Sequence, residues 1–357
     1  MRLVGEIHKR RKERGRAILD LAAGSGVRFG EMKRSPIRIG LVLFLLVALP
    51  FRAPAPLIYR PGEGWTYELP GGKGDWHRQR AKDQLAVAQD AFNKTKFKLA
   101  YNAAERVVKI WPLSDYAPQA QYLIGRCWEG RKQDEKAFDA YETLLEKYPK
   151  SVVADDVQRR QYAIALRYLH GEWFKVFMYV PFFPSMDKTA AMFDDIVRYG
   201  PYGEFAPPSQ MNIGAAREKQ KDYPLAVRAY ELASDRYNDQ PLVAADALYK
   251  AALAYDKQAR TAEYDQSIAG QAISAFTEFM SLFPDDPRVA DAQRIITALQ
   301  AEEARGNFRI AQFYEKEKRW DGALVYYNEV LIKDAGSPLA TEARERIDTL
   351  KRRVTTQ

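Results

Sequence analysis

Three histidines, His8, His77 and His170, and one cysteine, Cys127, are the side chains of this 357-residue sequence best suited to nucleophilic or metal chemistry. Such chemistry needs them to converge, and their spacing does not provide it. No Cys-x-x-Cys or His-x-x-x-His pair suggests zinc. No Gly-x-x-x-x-Gly-Lys or Gly-x-Ser-x-Gly suggests a phosphate cradle or a nucleophile elbow. Gly71-Gly72-Lys73-Gly74 reads as flexible linker. A single cysteine excludes an intramolecular disulfide, and between Arg126 and Trp128 on a helix it reads as a small packed hydrophobe. The acidic pairs Asp155-Asp156, Asp194-Asp195 and Glu302-Glu303 point about 100° apart when helical, so neither member supports the other in acid-base work. Asp285-Asp286 after Phe283-Pro284 reads as turn and helix-capping chemistry. The chain is therefore not expected to be an enzyme, and neither cofactor, metal nor small-molecule substrate is expected.

The elements that carry these residues follow from composition and pattern. Ala, Glu, Lys, Arg and aromatic residues are abundant while Gly and Pro are modest, which favours helix. The formal charge of +8 lies almost wholly at the start: residues 1–38 hold 11 Lys and Arg against 4 Asp and Glu. The rest is close to neutral, without the clustered cations and stacking aromatics of a nucleic-acid surface.

From Met32 the sequence Met32-Lys33-Arg34-Ser35-Pro36-Ile37-Arg38 precedes an uncharged run from Ile39 to Leu49. Eleven residues are too few to cross a hydrocarbon core of roughly 30 Å as a relaxed helix but fit the apolar region of a secretory signal. Residues 32–55 are thus expected to be a signal peptide or signal anchor, giving an exported, periplasmic or envelope-associated protein with membrane association through this segment. Residues 1–31 form a basic extension, which a start at Met32 would leave untranslated. Ala53-Pro54-Ala55 offers small residues for cleavage, but Pro56 opposes it. A Pro- and Gly-rich linker is expected over 56–76, with the folded body beginning near Trp76.

The body has an internal repeat. Phe97-x-x-Ala100, Ala137-Phe138 and Ala272-Ile273 each lead, twelve residues on, to Trp111-Pro112, Tyr148-Pro149 and Phe283-Pro284. Twelve residues before the helix alanines stand Ala88, Gly125, Gly214 and Ala311, facing Ala100, Ala137, Ala226 and Ala323. Small residues at a crossing allow two antiparallel helices to approach closely, so each unit is expected to be a helical hairpin. Four residues after the second alanine stand Ala104, Tyr141, Tyr230, Phe276 and Tyr327, bulky in four of five cases and expected to plug the groove to the next hairpin, and the aromatic-Pro pairs are expected to end each second helix. This predicts an all-α, right-handed superhelical solenoid of about six hairpins over 77–110, 114–148, 151–199, 206–237, 241–283 and 288–333, closed by a helix from Pro338 to Leu350. The stretch 171–184 interrupts the repeat with six aromatics between Trp173 and Phe183. Trp173, Phe174 and Phe177 either form an exposed contact or fold back onto the core.

These small-residue pairs and aromatic-Pro terminators resemble tetratricopeptide (TPR) units. Within that class, Gly306-Asn307-Phe308-Arg309-Ile310-Ala311-Gln312-Phe313-Tyr314, then Ala323-Leu324-Val325-Tyr326-Tyr327, then Ser337-Pro338-Leu339-Ala340, resemble the BamD-type outer-membrane β-barrel assembly factors. That family carries a lipid-modified cysteine after its export signal. No cysteine stands near Ile39–Leu49, so that anchor is not expected. The resemblance implies a scaffold that binds envelope or outer-membrane assembly proteins. The alternative is a recruiting or regulatory module of a cell-envelope enzyme complex. Candidate partner-binding residues are Gln119, Tyr122 and Arg126 on the second hairpin and Arg305, Phe308 and Gln312 on the last, where first helices line a concave groove.

Overall fold

The computed structural model describes residues 57–62, 64–67, 76–172, 174–176, 180–183, 185–261 and 266–354. The basic extension, the signal segment, Gly71–Gly74, Trp173 and Phe177 lie outside them. Thirteen helices stand among the described residues. The first hairpin is α1 (Ala81–Asn93) and α2 (Phe97–Ile110), and the second α3 (Ala117–Gly130) and α4 (Asp134–Lys147). The third is α5 (Ala154–Leu169) and α6 (Met186–Tyr199), followed by α7 (Ala206–Lys219) with α8 (Tyr223–Arg236). Then come α9 (Pro241–Thr261) with α10 (Gln266–Leu282), and α11 (Val289–Lys316) with α12 (Trp320–Lys333). A final helix, α13 (Pro338–Val354), closes the array. This is the all-α, TPR-like arrangement the repeat predicts.

The glycine seam is built differently from the expectation. A Cβ on Gly125 would stand 2.2 Å from Cε1 of Tyr141, and one on Gly214 would stand 2.4 Å from Cε1 of Tyr230. The rings thus lie across the glycines of their own hairpin, where they close its core rather than only plugging the next groove. In the third unit Tyr162 takes the glycine position, 37 residues after Gly125, and meets Phe193 edge-on at 5.9 Å between centroids. An aromatic there holds α5 and α6 apart where glycine would let them close.

A polar seam accompanies the apolar one. The side-chain amides of Gln84, Gln121 and Gln210 donate to the carbonyls of Ala103, Ala140 and Ala229, at 3.4, 2.8 and 3.1 Å. Each joins the first helix of a hairpin to its second and satisfies a buried amide that would otherwise be costly.

The turns inside four hairpins place Thr95, Lys132, Lys221 and Lys318 at φ of 55–62°, the left-handed region. The following amides reach back five residues, as Gln133 N to the Trp128 carbonyl at 3.0 Å, closing the helix end. Glycine is the usual residue there, so these caps carry no glycine signal.

Two small hairpins stand outside the helical repeat. The stretch expected as linker holds β1 (Leu57–Arg60) and β2 (Gly64–Tyr67), paired antiparallel with Tyr59 opposite Trp65. Among the described residues of that stretch there is no helix, and the compact unit starts at Leu57 rather than near Trp76. Asp115 N donates to the Gly62 carbonyl at 2.7 Å, tying this hairpin's turn to the α2–α3 turn. The aromatic interruption contains β3 (Phe174–Val176) and β4 (Val180–Phe183), also antiparallel.

Candidate protein-binding groove

The first helices carry the arrangement most suited to holding a partner. Tyr141, seated on Gly125, has Tyr122 as its neighbour at 6.1 Å between centroids. Tyr122 is half-buried, and its hydroxyl donates to Asp156 Oδ2 on α5 at 2.5 Å. It also accepts from Arg126 Nη1 and Arg160 Nε, each at 3.1 Å. Arg160 bonds Asp156 Oδ2 at 2.8 Å and Glu129 Oε2 at 3.0 Å. Arg126 stands 3.4 Å from Glu129 and lies over the Phe92 ring of α1 at 5.3 Å. Three first helices are thereby joined by one network of two guanidinium groups, two carboxylates and two rings.

The side chains of Arg126, Glu129, Asp156 and Arg160 keep 21–32% of their exposure, so the network faces solvent without being fully wet. Desolvation pushes the Asp156 carboxyl upward, but hydrogen bonds from Tyr122 and Arg160 and the charges of Arg160 and Arg159 outweigh it and hold it below the usual carboxylate range. Desolvation opposes the Arg160 charge, yet its bonds to Asp156 and Tyr122 hold the guanidinium above its ordinary value. Planar guanidinium groups over aromatic rings can offer donors to carboxylates or backbone carbonyls of an extended chain.

A polar residue on the next first helix partners a tyrosine hydroxyl twice more. Asn212 Nδ2 donates to the Tyr162 hydroxyl at 3.2 Å, and the Tyr249 hydroxyl donates to Asp291 Oδ2 at 2.5 Å. At the latter station Arg288 lies over Tyr249 at 4.8 Å and bonds Asp246 Oδ1 at 2.9 Å. Burial first, then the Asp291 bond, pushes the Tyr249 hydroxyl up to about 12. Asp286 pairs with Arg288 and accepts from its backbone amide at 2.9 Å, the turn role expected here, but Arg288 holds the N-cap position of α11 and no side chain caps that helix, so the capping part of the expectation fails.

The expected groove residues divide. Tyr122 and Arg126 are in the network and Gln119 is exposed one turn before them. Arg305 and Gln312 are exposed on α11, with Arg305 paired to Glu302. Phe308 is instead 5% exposed and meets Tyr327 edge-on at 5.4 Å, so it is a core residue and no docking contact. Phe174 is likewise buried, stacked on Tyr168 at 4.1 Å with Lys188 Nζ 4.9 Å from its ring. At that position the aromatic interruption folds back onto the core. Cys127 is buried and desolvation pushes its thiol up to about 12, against the charges of Arg131 and Arg126, which suits a packed hydrophobe. Asp156, Arg159, Arg160 and Glu129 were not among the expected residues. The 37-residue repeat carried one unit beyond Gln119 and Tyr122 lands on Asp156 and Arg159. Arg160 has no such signal.

A family model described as an outer membrane lipoprotein matches residues 185–356, and a tetratricopeptide repeat model matches residues 119–151. No curated protein matches the chain. Among solved structures, MamA from Desulfovibrio magneticus RS-1 is 12% identical, over 60% of this chain and 99% of its own, with a TM-score of 0.29. The C-terminal part of a TPR repeat-containing protein from Cytophaga hutchinsonii is 12% identical over 74% and 87%, with a TM-score of 0.32. A tetratricopeptide repeat protein from Parabacteroides merdae is 9% identical over 76% and 98%, with a TM-score of 0.30. The chain is a tetratricopeptide-repeat protein that resembles the BamD-type factors.

Proposed function

We propose that this repeat array is an exported scaffold of the bacterial envelope, facing the periplasm, and that it organises outer-membrane assembly proteins without transforming a substrate. The match of residues 185–356 to the outer membrane lipoprotein model is the observation that carries the reading. TPR and outer membrane lipoprotein domains of this kind act as protein-protein interaction scaffolds, and that coarser role stands on both matches. The signal-like segment at 32–55 supports export.

Two surfaces divide the work. The Tyr249–Arg288–Asp291 station lies within the matched segment and would serve the role shared with the outer-membrane factors. The Tyr122–Asp156–Arg160 network lies before it and adds a second grip for an extended segment of a partner. Gln119, Arg126 and Arg159 flank that grip.

The test is a periplasm-active reporter fused after Gln357, combined with cross-linking in cells. An active reporter and an envelope protein captured by the parent, but lost in Arg160→Ala, is the expected result. A cytoplasmic fusion overturns the export reading. A partner retained at full strength by Arg160→Ala overturns the assignment of the groove.

A further inference from the structure

Each hairpin starts and ends at the same edge of the array, because its two helices run antiparallel. The turns between hairpins therefore share that edge. Leu113 in the α2–α3 turn and Val152 in the α4–α5 turn are 93% and 101% exposed, so neither contributes to the core. A single exposed apolar residue is ordinary on a protein surface, but these two are not isolated. The Tyr148 hydroxyl in the second turn donates to the Pro112 carbonyl in the first at 3.0 Å, which binds the two turns side by side. The first turn in turn holds the β1–β2 hairpin through Asp115 N and the Gly62 carbonyl. That hairpin presents Tyr59 and Trp65, 60% and 67% exposed, as a cross-strand pair with centroids 5.3 Å apart. Two hydrogen bonds thus tie together the three segments that carry these four exposed apolar side chains, and Lys147 and Lys150 are exposed on the same stretch as Val152, with Asp115 and Glu146 exposed nearby in sequence.

We infer that this edge rests on a lipid bilayer. Trp and Tyr are favoured at the level of lipid headgroups, where the ring is apolar and its polar atom wet, and lysines beside them suit anionic headgroups. Chain length supports the same occupant. Only seven residues, 50–56, separate the apolar run 39–49 from β1. They span no more than roughly 28 Å when fully extended. The inference rests on reading residues 39–49 as a membrane-inserting segment, which would hold this edge near whatever bilayer that segment enters. The assignment makes the edge a docking face that sets the solenoid's orientation, leaving the groove of the first helices free for protein.

The probe is a vesicle of phosphatidylethanolamine and phosphatidylglycerol in equal parts, with the full chain added. Trp65→Cys, Leu113→Cys and Val152→Cys are each labelled with an environment-sensitive fluorophore, and Val325→Cys on α12 serves as the control. The buried Cys127 does not compete for the label. The expected result is flotation with the vesicles, with labels at 65, 113 and 152 blue-shifted, several-fold brighter and quenched by nitroxide lipids, and the label at 325 unchanged. Flotation with all edge labels in water overturns the edge and leaves the inserting segment standing. Loss of flotation in Leu43→Asp with Leu46→Asp, while the parent shows the expected quenching, supports both. Flotation and quenching retained in that variant keep the edge and overturn the reading of the apolar run. No flotation of the parent overturns both, and brightening that depends on protein concentration without vesicles assigns the patch to a second copy.

Discussion

Replacing Gly125 by alanine adds one methyl group where 2.2 Å separates the new Cβ from Tyr141 Cε1 and 2.6 Å separates it from Cδ1. Ordinary carbon contacts begin near 3.4 Å, so ring and helix must part by about 1 Å. Tyr141 is fully buried, which denies it an outward rotamer. Overpacking of this kind costs about 1–3 kcal/mol, against a gain of about 0.5–1 kcal/mol from replacing a helical glycine. The net expectation is a loss of about 1–2 kcal/mol in urea or thermal denaturation. Gly270 supplies the opposite sign, because nothing stands within 4 Å of its Cβ position on α10. Gly270→Ala should therefore stabilise by about 0.5–1 kcal/mol. Tyr141→Ala alone should cost about 3–5 kcal/mol through its cavity, and adding Gly125→Ala to it should cost little more, since the ring that clashed is gone. A Gly125→Ala protein as stable as Gly270→Ala would refute the account of the seam.

Other outcomes follow from the same geometry. Lys132 stands in the left-handed region, so Lys132→Gly should raise stability by about 0.5–1 kcal/mol, read as a higher urea midpoint. Phe174→Ala should destabilise by about 3–4 kcal/mol, since the ring is buried on Tyr168, whereas Gln312→Ala should melt like the parent. Asp156 titrates below its ordinary value, so its contribution is present at neutral pH and is lost as pH falls through its folded value. Asp156→Asn should cost about 0.5–1 kcal/mol at neutral pH, and denaturation followed from pH 6 downward should show a flatter decline than the parent.

The repeat spacing made five of the six hairpins legible, because a small residue twelve positions before an alanine and an aromatic-Pro stop are local signals; the third, with Tyr162 at the glycine position, carries neither and follows only from its place between its neighbours. The contact that needs the glycine was less legible. Gly125 and Ala137 align by spacing, but the atom that fills the space belongs to Tyr141, one helical turn further on, and only three dimensions place it. Phe308 failed as a groove residue for a related reason. It shares a helix with Arg305 and Gln312, yet α11 is 28 residues long and supports two cores, Ala292 and Ile296 serving the fifth hairpin, and Ala304 and Phe308 the sixth. Such a helix turns a groove position of an ordinary unit inward. The groove network was half visible. Tyr122 and Arg126 sit on one face at helical spacing, whereas Arg160 joins them from the next first helix, 38 residues beyond Tyr122, in the unit whose glycine position holds Tyr162. The β1–β2 hairpin was hidden by the prolines and glycines around it, although Leu57–Arg60 and Gly64–Tyr67 flank a Pro61-Gly62 turn.

A photo-cross-linker placed at Gln119, beside the network of Tyr122, Asp156 and Arg160, tests the scaffold reading most directly. In living cells the account predicts one dominant adduct with an exported envelope protein, abolished when Arg160→Ala is added to the labelled chain. Absence of any adduct, or an adduct with a cytoplasmic protein that persists in Arg160→Ala, would contradict it.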